Sequence, residues 1–436
     1  GIGECNVSKI AIPREHNGKP VIKIKENAFK GNTTLKSIII GDNIENIGGN
    51  AFQSTGIITA NIDASTIGNY IFWNAKSLEK VMIGKNVTKL GMSIFLNCNN
   101  LNDLTILTEK ADINNGILGS AGSLKEVKTN EENSKYMVEE GVLFSKDGSK
   151  IYAYPTGKTN DTYTFSSNVN EIGASAFAFS NLKSIDIPST VEKVGSNAFQ
   201  STGITTANID ASTTENYIFW NAKSLEKVVI GKNVTKLGMA IFLNCNNLND
   251  LTILTEKADI NNGILGSAGS LKEVKTNEEN SKYMVEEGVL FSKDGSKIYA
   301  YPTGKTNDTY TFSSNVNEIG ASAFAFSNLK SIDIPSTVEK VGSNAFQSTG
   351  ITTANIDSST IEYYIFWNSK SLEKIVIGEN VTKLGGAVFS NCSNLKSIIY
   401  LGTMDEWNNT LGKTSLWKSG NTSITKVICS DGEINL

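Results

Sequence analysis

Residues 54–200 and 201–347 are one 147-residue block written twice, with five differences: Ile58/Thr205, Ile67/Thr214, Gly68/Glu215, Met82/Val229 and Ser93/Ala240. A third, partial copy runs from Ser348 to about Tyr400 and then diverges. Such a chain is restricted to folds that lengthen by whole units without breaking their core. Inside each block runs a shorter period. It is marked by an apolar pair usually written Ala-Phe, at Phe29, Phe52, Phe72 and Phe95, then a degenerate Leu118, then Phe177 and Phe199. Most spacings are 20 to 23 residues.

The fullest period reads LKSIDIPSTVEKVGSNAF. Leu182, Ile185 and Ile187 alternate as a strand does. Pro188 turns the chain, Val191 and Val194 form a second short apolar stretch, and Ala198-Phe199 close the turn. Gly41, Gly84, Gly231 and Gly378 replace the proline elsewhere, as a turn permits. One such turn buries too little apolar surface to offset the entropy of ordering it. Stacking makes up the difference, each strand bonding to those on either side. The expected product is a repeat solenoid of parallel strands, with a second short strand and a short helical turn per repeat. The period breaks at Tyr136–Phe165, and again at 283–312, where LFSKDGSKIYAY reads as a β-hairpin turning on Asp147-Gly148.

These residues resemble a known family. LKSIDIPSTVEKVGSNAF is similar to the repeat of BspA-like (Treponema pallidum type) leucine-rich repeat proteins. IPREHNGKPVIKIKENAF (12–29) is similar to the family's opening segment, GVLFSKDGSKIYAYP to its recurrent hairpin, and 398–436 to its C-terminal module. The resemblance implies a bacterial secreted or surface protein, with members implicated in adhesion to host matrix proteins, and it brings no catalytic residues. The family's cysteine after the Ala-Phe pair survives at Cys98, Cys245 and Cys392. The corners holding Thr33, Ala75 and Asn181 have to satisfy their backbone groups otherwise.

Hydrophobic residues make up 39% of the chain, enough for a continuous core. The net charge of −4 offers no basic face for nucleic acid. No run of eighteen apolar residues suits a membrane span, and no basic segment followed by an apolar stretch opens the chain. GIGECNVSKI reads as the start of a mature or trimmed chain. The five cysteines are too regularly placed for a disulfide scaffold, and buried thiols are expected, with Cys5 and Cys429 near opposite ends.

Chemistry is sparse. The single histidine, His16, sits beside the Asn17-Gly18 turn and reads as a loop residue. PTGKT (155–159) contains Gly-Lys-Thr, but Tyr152 stands where a phosphate loop needs its first glycine, and no helix is expected after it. No serine or cysteine in the repeats has a histidine partner, and no metal-ligand spacing occurs. The expectation is therefore a non-enzyme with no cofactor.

The aromatic residues are the candidates for binding. Trp73, Trp220 and Trp367 follow the corner Phe at a position where other turns hold Lys30, Gln53, Leu96, Ala178 or Gln200, and the acceptance of Lys and Gln there suggests contact with solvent. A recurring exposed Trp would suit a binding hot spot; an indole lying flat over the next turn is the alternative. Tyr70, Tyr217 and Tyr364 flank these positions. Tyr152 and Tyr154, with copies Tyr299 and Tyr301, are expected to share a hairpin face that packs on the solenoid or forms an exposed strip. Trp407 and Trp417 are expected to seal the last turn. The segments read as 1–53 N-terminal turns, 54–200 and 201–347 the two full blocks, 348–400 the partial block and 401–436 a cap. Two functions fit: a monomeric extracellular or cell-surface protein binding host or neighbouring-cell proteins or glycoproteins, or a passive stalk displaying another domain.

Overall fold

The fold follows from alternation and repetition. A computed structural model of the chain describes residues 7–113, 116–260, 263–413 and 415–436, in two compact units, Gly1–Ala222 and Lys223–Leu436. Both are parallel β-solenoids. A typical turn supplies a four-residue strand, a two-residue strand and a corner.

In the first unit the longer strands Ser37–Ile40, Thr59–Ile62, Lys80–Ile83 and Asp103–Ile106 stack in parallel. Their register sets Ile38 on Ala60, Val81 and Leu104, and Ile40 on Ile62, Ile83 and Ile106. Every buried position therefore sits on its own equivalent, so the core is one continuous column. Lys23–Ile24, Asn46–Ile47, Thr66–Ile67 and Lys89–Leu90 form the second, narrower sheet.

At the corners the Phe rings stack inward. Phe29, Phe52, Phe72 and Phe95 follow one another at 5.2, 5.4 and 6.0 Å between centroids. Cys98 lies under this column and its thiol donates to the Phe72 carbonyl at 3.1 Å. Cys392 does the same to Phe366 at 3.0 Å. Other corners use hydroxyls, since Thr55, Thr202 and Thr349 donate to the carbonyls of Phe52, Phe199 and Phe346. Cys98, Cys245, Cys392 and Cys429 are all buried, while Cys5 lies outside the described residues.

The corners are tighter than the helical turns expected. Among the described residues the helical segments are Met404–Asn409, Leu411–Lys413 and Ser415–Lys418, all in the C-terminal module. The reason is local: a left-handed residue stands two positions before and two after most corner Phe residues, for example Asn50 (φ 56°) and Ser54 (φ 55°) around Phe52. Left-handed residues at both ends stop a right-handed helix from propagating.

The interruption is a three-stranded excursion. Tyr136–Glu139, Val142–Ser145 and Lys150–Ala153 pair antiparallel. The third strand then pairs in parallel with Glu171–Ile172, which restarts the narrow sheet. The second unit repeats this with Tyr283–Glu286, Val289–Ser292 and Lys297–Ala300. It ends where Lys426–Cys429 and Gly432–Asn435 turn antiparallel. Trp417 lies edge-on to Phe389 at 6.3 Å and Trp407 edge-on to Trp417 at 5.5 Å, both buried, so the two indoles close the apolar column.

Candidate interaction surface

A typical corner buries its Phe and the residue before it, and turns the residue after it outward at Lys30, Trp73, Trp220 and Trp367. Backbone N–H groups of one corner donate to carbonyls of the next, as Phe52 does to Ile71 at 2.8 Å and Phe72 to Ile94 at 3.1 Å. Holding that pattern requires the left-handed pair. Asparagine fills many of these positions: Asn27, Asn50, Asn197 and Asn344 before the Phe, and Asn74, Asn97, Asn221 and Asn368 after it. That is the residue physical chemistry favours there after glycine.

Tyr70 (φ 56°), Tyr217 (φ 61°) and Tyr364 (φ 60°) break the rule, as do Phe179 (φ 63°) and Phe326 (φ 62°). A bulky aromatic residue in this region carries strain on the order of 1 kcal/mol that asparagine largely avoids. These five positions hold aromatic rings in a backbone conformation that asparagine adopts more readily.

Beside these tyrosines stand the tryptophans. Trp73, Trp220 and Trp367 are 39%, 37% and 42% exposed. Tyr217 and Tyr364 are also exposed, and Tyr70 is half-buried. Tyr70 and Trp73 lie tilted at 6.3 Å, and the Tyr70 hydroxyl points at the Met92 sulfur at 3.5 Å. Each block thus places a Tyr and a Trp at one outward corner.

Other exposed apolar residues that the sequence reading does not single out include Met92, Met239, Tyr363 and Leu416. For Tyr363 a signal existed, because Asn69 and Asn216 hold that position in the full blocks. Asn69 accepts a bond from the Met92 backbone at 3.0 Å, which a tyrosine ring does not replace. Where the other blocks have Met92 and Met239 the third has Gly386, and a Cβ there would lie 3.3 Å from the Tyr363 ring. The third block has exchanged a capping amide and a methionine for a second exposed tyrosine.

The hairpin tyrosines do not share a face. Tyr152 and Tyr299 are half-buried, edge-on to Tyr136 and Tyr283 at 5.2 Å, with Lys150 and Lys297 over their rings. Tyr154 and Tyr301 are 1% exposed and cannot form an exposed strip. Each takes the place of a corner Phe, stacking at 5.0 Å on Phe177 or Phe324 at the head of a new aromatic column. Both lie in the core and leave the set of surface candidates.

PTGKT clamps the excursion. The Thr156 hydroxyl donates to Ala121 O at 2.7 Å, the Gly157 N–H to Leu124 O at 2.7 Å, and Lys158 Nζ to Glu140 O at 2.7 Å. His16 is exposed on the Glu15–His16 strand of a small hairpin. Burial pushes the Cys98 and Cys392 thiols up to about 12, so neither is a thiolate near neutral pH. No cluster of three His, Cys, Asp or Glu suited to a metal occurs among the described residues, and no helix there is long and apolar enough to cross a membrane. On the solvent face of the longer strands charges alternate: Asp103 lies between Lys80 (2.7 Å) and Lys128 (3.1 Å). The Lys80 bond, with Lys128 beside it, lowers the Asp103 carboxyl pKa.

The pattern common to all these corners is that of a BspA type leucine rich repeat region, which matches in six copies over residues 3–136, 150–272 and 297–414. The chain belongs to the BspA-type leucine-rich repeat family. No curated protein matches it by sequence. Among solved structures this BspA-type protein is similar to a leucine-rich repeat protein from Eubacterium ventriosum, at 21% identity and a TM-score of 0.50, over 89% of this chain and 83% of that one. It is also similar to a leucine rich cell surface protein from Faecalibacterium prausnitzii (20% identity, TM-score 0.36, 93% and 90% covered). A third is the pneumococcal vaccine antigen PcpA (16%, 0.43, 98% and 90%). At these identities the likeness is one of fold.

Proposed function

We propose that this BspA-type protein is a non-enzymatic, secreted or cell-surface bacterial interaction protein that binds host or neighbouring-cell proteins or glycoproteins through its outward corners. The observation that carries this reading is the tyrosine held left-handed beside an exposed tryptophan in every block, at Tyr70/Trp73, Tyr217/Trp220 and Tyr364/Trp367. An aromatic residue that stays partly exposed despite backbone strain is poorly explained by core packing, and Trp and Tyr are enriched among the residues that dominate protein recognition. Repetition adds multivalency, because a second site engages at high effective concentration once the first is held.

The test is binding of the chain to a panel of immobilised matrix proteins and glycans, beside the Trp73→Ala/Trp220→Ala/Trp367→Ala variant. Loss of a bound partner with unchanged circular dichroism supports the reading. Undiminished binding by the triple variant removes the aromatic corners from it, and no binding by either chain favours a passive stalk.

A further inference from the structure

Of the six methionines, Met92 and Met239 are the exposed ones, at 42% and 46%. They hold one and the same position in the two full blocks. The other four are half-buried. Met82 stands in the strand ladder between Asn61 and Thr105. Met137 and Met284 reach over the two hairpin turns, their sulfurs 4.0 and 3.9 Å from where a Cβ on Gly148 or Gly295 would stand. Met404 opens the helix Met404–Asn409 and packs on Gly432, where a Cβ would lie 3.0 Å from its sulfur. Exposure decides how readily a thioether meets a dissolved oxidant, so the two corner methionines stand apart chemically. The thiols do not compete, since Cys98, Cys245, Cys392 and Cys429 are all buried.

The corner around Met92 is built to pass on a change at its sulfur. The Met92 N–H donates to Asn69 Oδ1 at 3.0 Å, and its carbonyl accepts from the Tyr70 N–H at 3.1 Å. The side chain therefore starts from a fixed backbone. The Tyr70 hydroxyl donates to the sulfur at 3.5 Å, and the Tyr70 ring lies 6.3 Å from that of Trp73. One sulfur lone pair faces the hydroxyl and the other is left for reaction. The third block differs: Gly386 replaces the methionine, so that corner carries no thioether.

We propose that Met92 and Met239 are sites of reversible oxidation by hydrogen peroxide, and that the sulfoxide at Met92 displaces Tyr70 from its place beside Trp73. The sulfur lone pair attacks one peroxide oxygen, and the O–O bond breaks as the S–O bond forms. The hydroxide released takes the proton from the transferred oxygen and leaves as water. The thioether is thus oxidised by two electrons to the sulfoxide and the peroxide is reduced to water; sulfoxide reductases restore the thioether. The new oxygen is a stronger acceptor than the sulfur and stands one bond beyond it, so the Tyr70 hydroxyl has to move to bond it. A corner made polar in this way meets a partner less well, at two of the three blocks and not at the third. That consequence for binding rests on the aromatic-corner reading; the oxidation itself does not.

The experiment treats the full chain with hydrogen peroxide, following each methionine by peptide mass mapping and the tryptophans by fluorescence. Beside it runs the Met92→Leu/Met239→Leu variant, in which leucine keeps the bulk without the sulfur. Oxidation at Met92 and Met239 is expected to run roughly tenfold or more ahead of the other four in the folded chain, and at comparable rates for all six in urea. The tryptophan emission should change in step with Met92, return on treatment with methionine sulfoxide reductases, and stay constant in the variant. Equal rates in the folded chain, or the same emission change in the variant, overturns the proposal. Where a matrix protein binds, the oxidised chain should dissociate faster, and the variant at one rate before and after peroxide; dissociation indifferent to oxidation overturns the effect on binding. Absence of any bound matrix protein counts against the aromatic-corner reading and leaves the oxidation pattern to decide this proposal.

Discussion

A left-handed tyrosine is a local conflict between backbone and side chain. Tyr364 is 47% exposed, so little burial offsets its conformation. Tyr364→Asn is expected to raise stability by about 0.5–1 kcal/mol, read as an upward shift of the urea midpoint, while weakening partner binding. A downward shift would mean the ring supports the fold. The opposite logic applies to Tyr154, whose ring the fold needs and whose hydroxyl is buried without a hydrogen-bond partner among the described residues. Tyr154→Phe keeps the stack on Phe177 and is expected to gain about 1 kcal/mol; a loss of stability in thermal melts contradicts this. The burial of Tyr154 is legible in the sequence as the packed alternative for the hairpin, and the repeat period decides for it. Tyr154 lies 23 residues before Phe177, one full period, and that spacing outranks the alternation of the hairpin. The left-handed state of Tyr70 was not legible, because asparagine, serine, alanine and tyrosine all occupy that position and only backbone geometry shows what they share.

Among the elements, the strands and their stacking could be read from the apolar alternation, and the excursion from its Asp-Gly turn. What pins the excursion could not. The clamp depends on contacts 35 residues apart, as from Thr156 to Ala121. Thr156→Val leaves the Ala121 carbonyl without this donor in a buried site and is expected to cost about 1–2 kcal/mol, measured by urea denaturation. The turn itself is sensitive to acid. Asp147 accepts bonds from the Ser145 hydroxyl at 2.6 Å and from Ser149 N and Oγ at 3.0 and 2.8 Å, and these lower its carboxyl to about 2. Asp294 is lowered to about 2 in the same way. Because the folded pKa lies below the unfolded one, the contribution is present above the unfolded value near 3.8 and is lost as pH falls through about 2. Protection factors of the hairpin amides, taken against the intrinsic exchange rate at each pH, are expected to fall over that range in the parent chain. The Asp147→Asn/Asp294→Asn chain should not show this acid step; if it does, another group is responsible.

For the molecule as a whole, duplication adds turns without disturbing those already present. Ser201 and Ser348, which begin the second and third blocks, share φ 53°, and their N–H groups donate to Trp220 O at 2.9 Å and Trp367 O at 2.8 Å. Deleting residues 201–347 therefore joins Gln200 to a serine with the same local geometry. The shortened chain is expected to fold with unchanged circular dichroism per residue; a collapsed spectrum would show that the copies are not interchangeable. The measurement that bears most directly on the account is surface plasmon resonance of the chain, the deletion and the triple Trp→Ala variant over immobilised matrix proteins. The account predicts slow dissociation for the full chain, faster dissociation for the deletion as valency falls, and loss of binding for the folded triple variant. Equal dissociation from all three would contradict it.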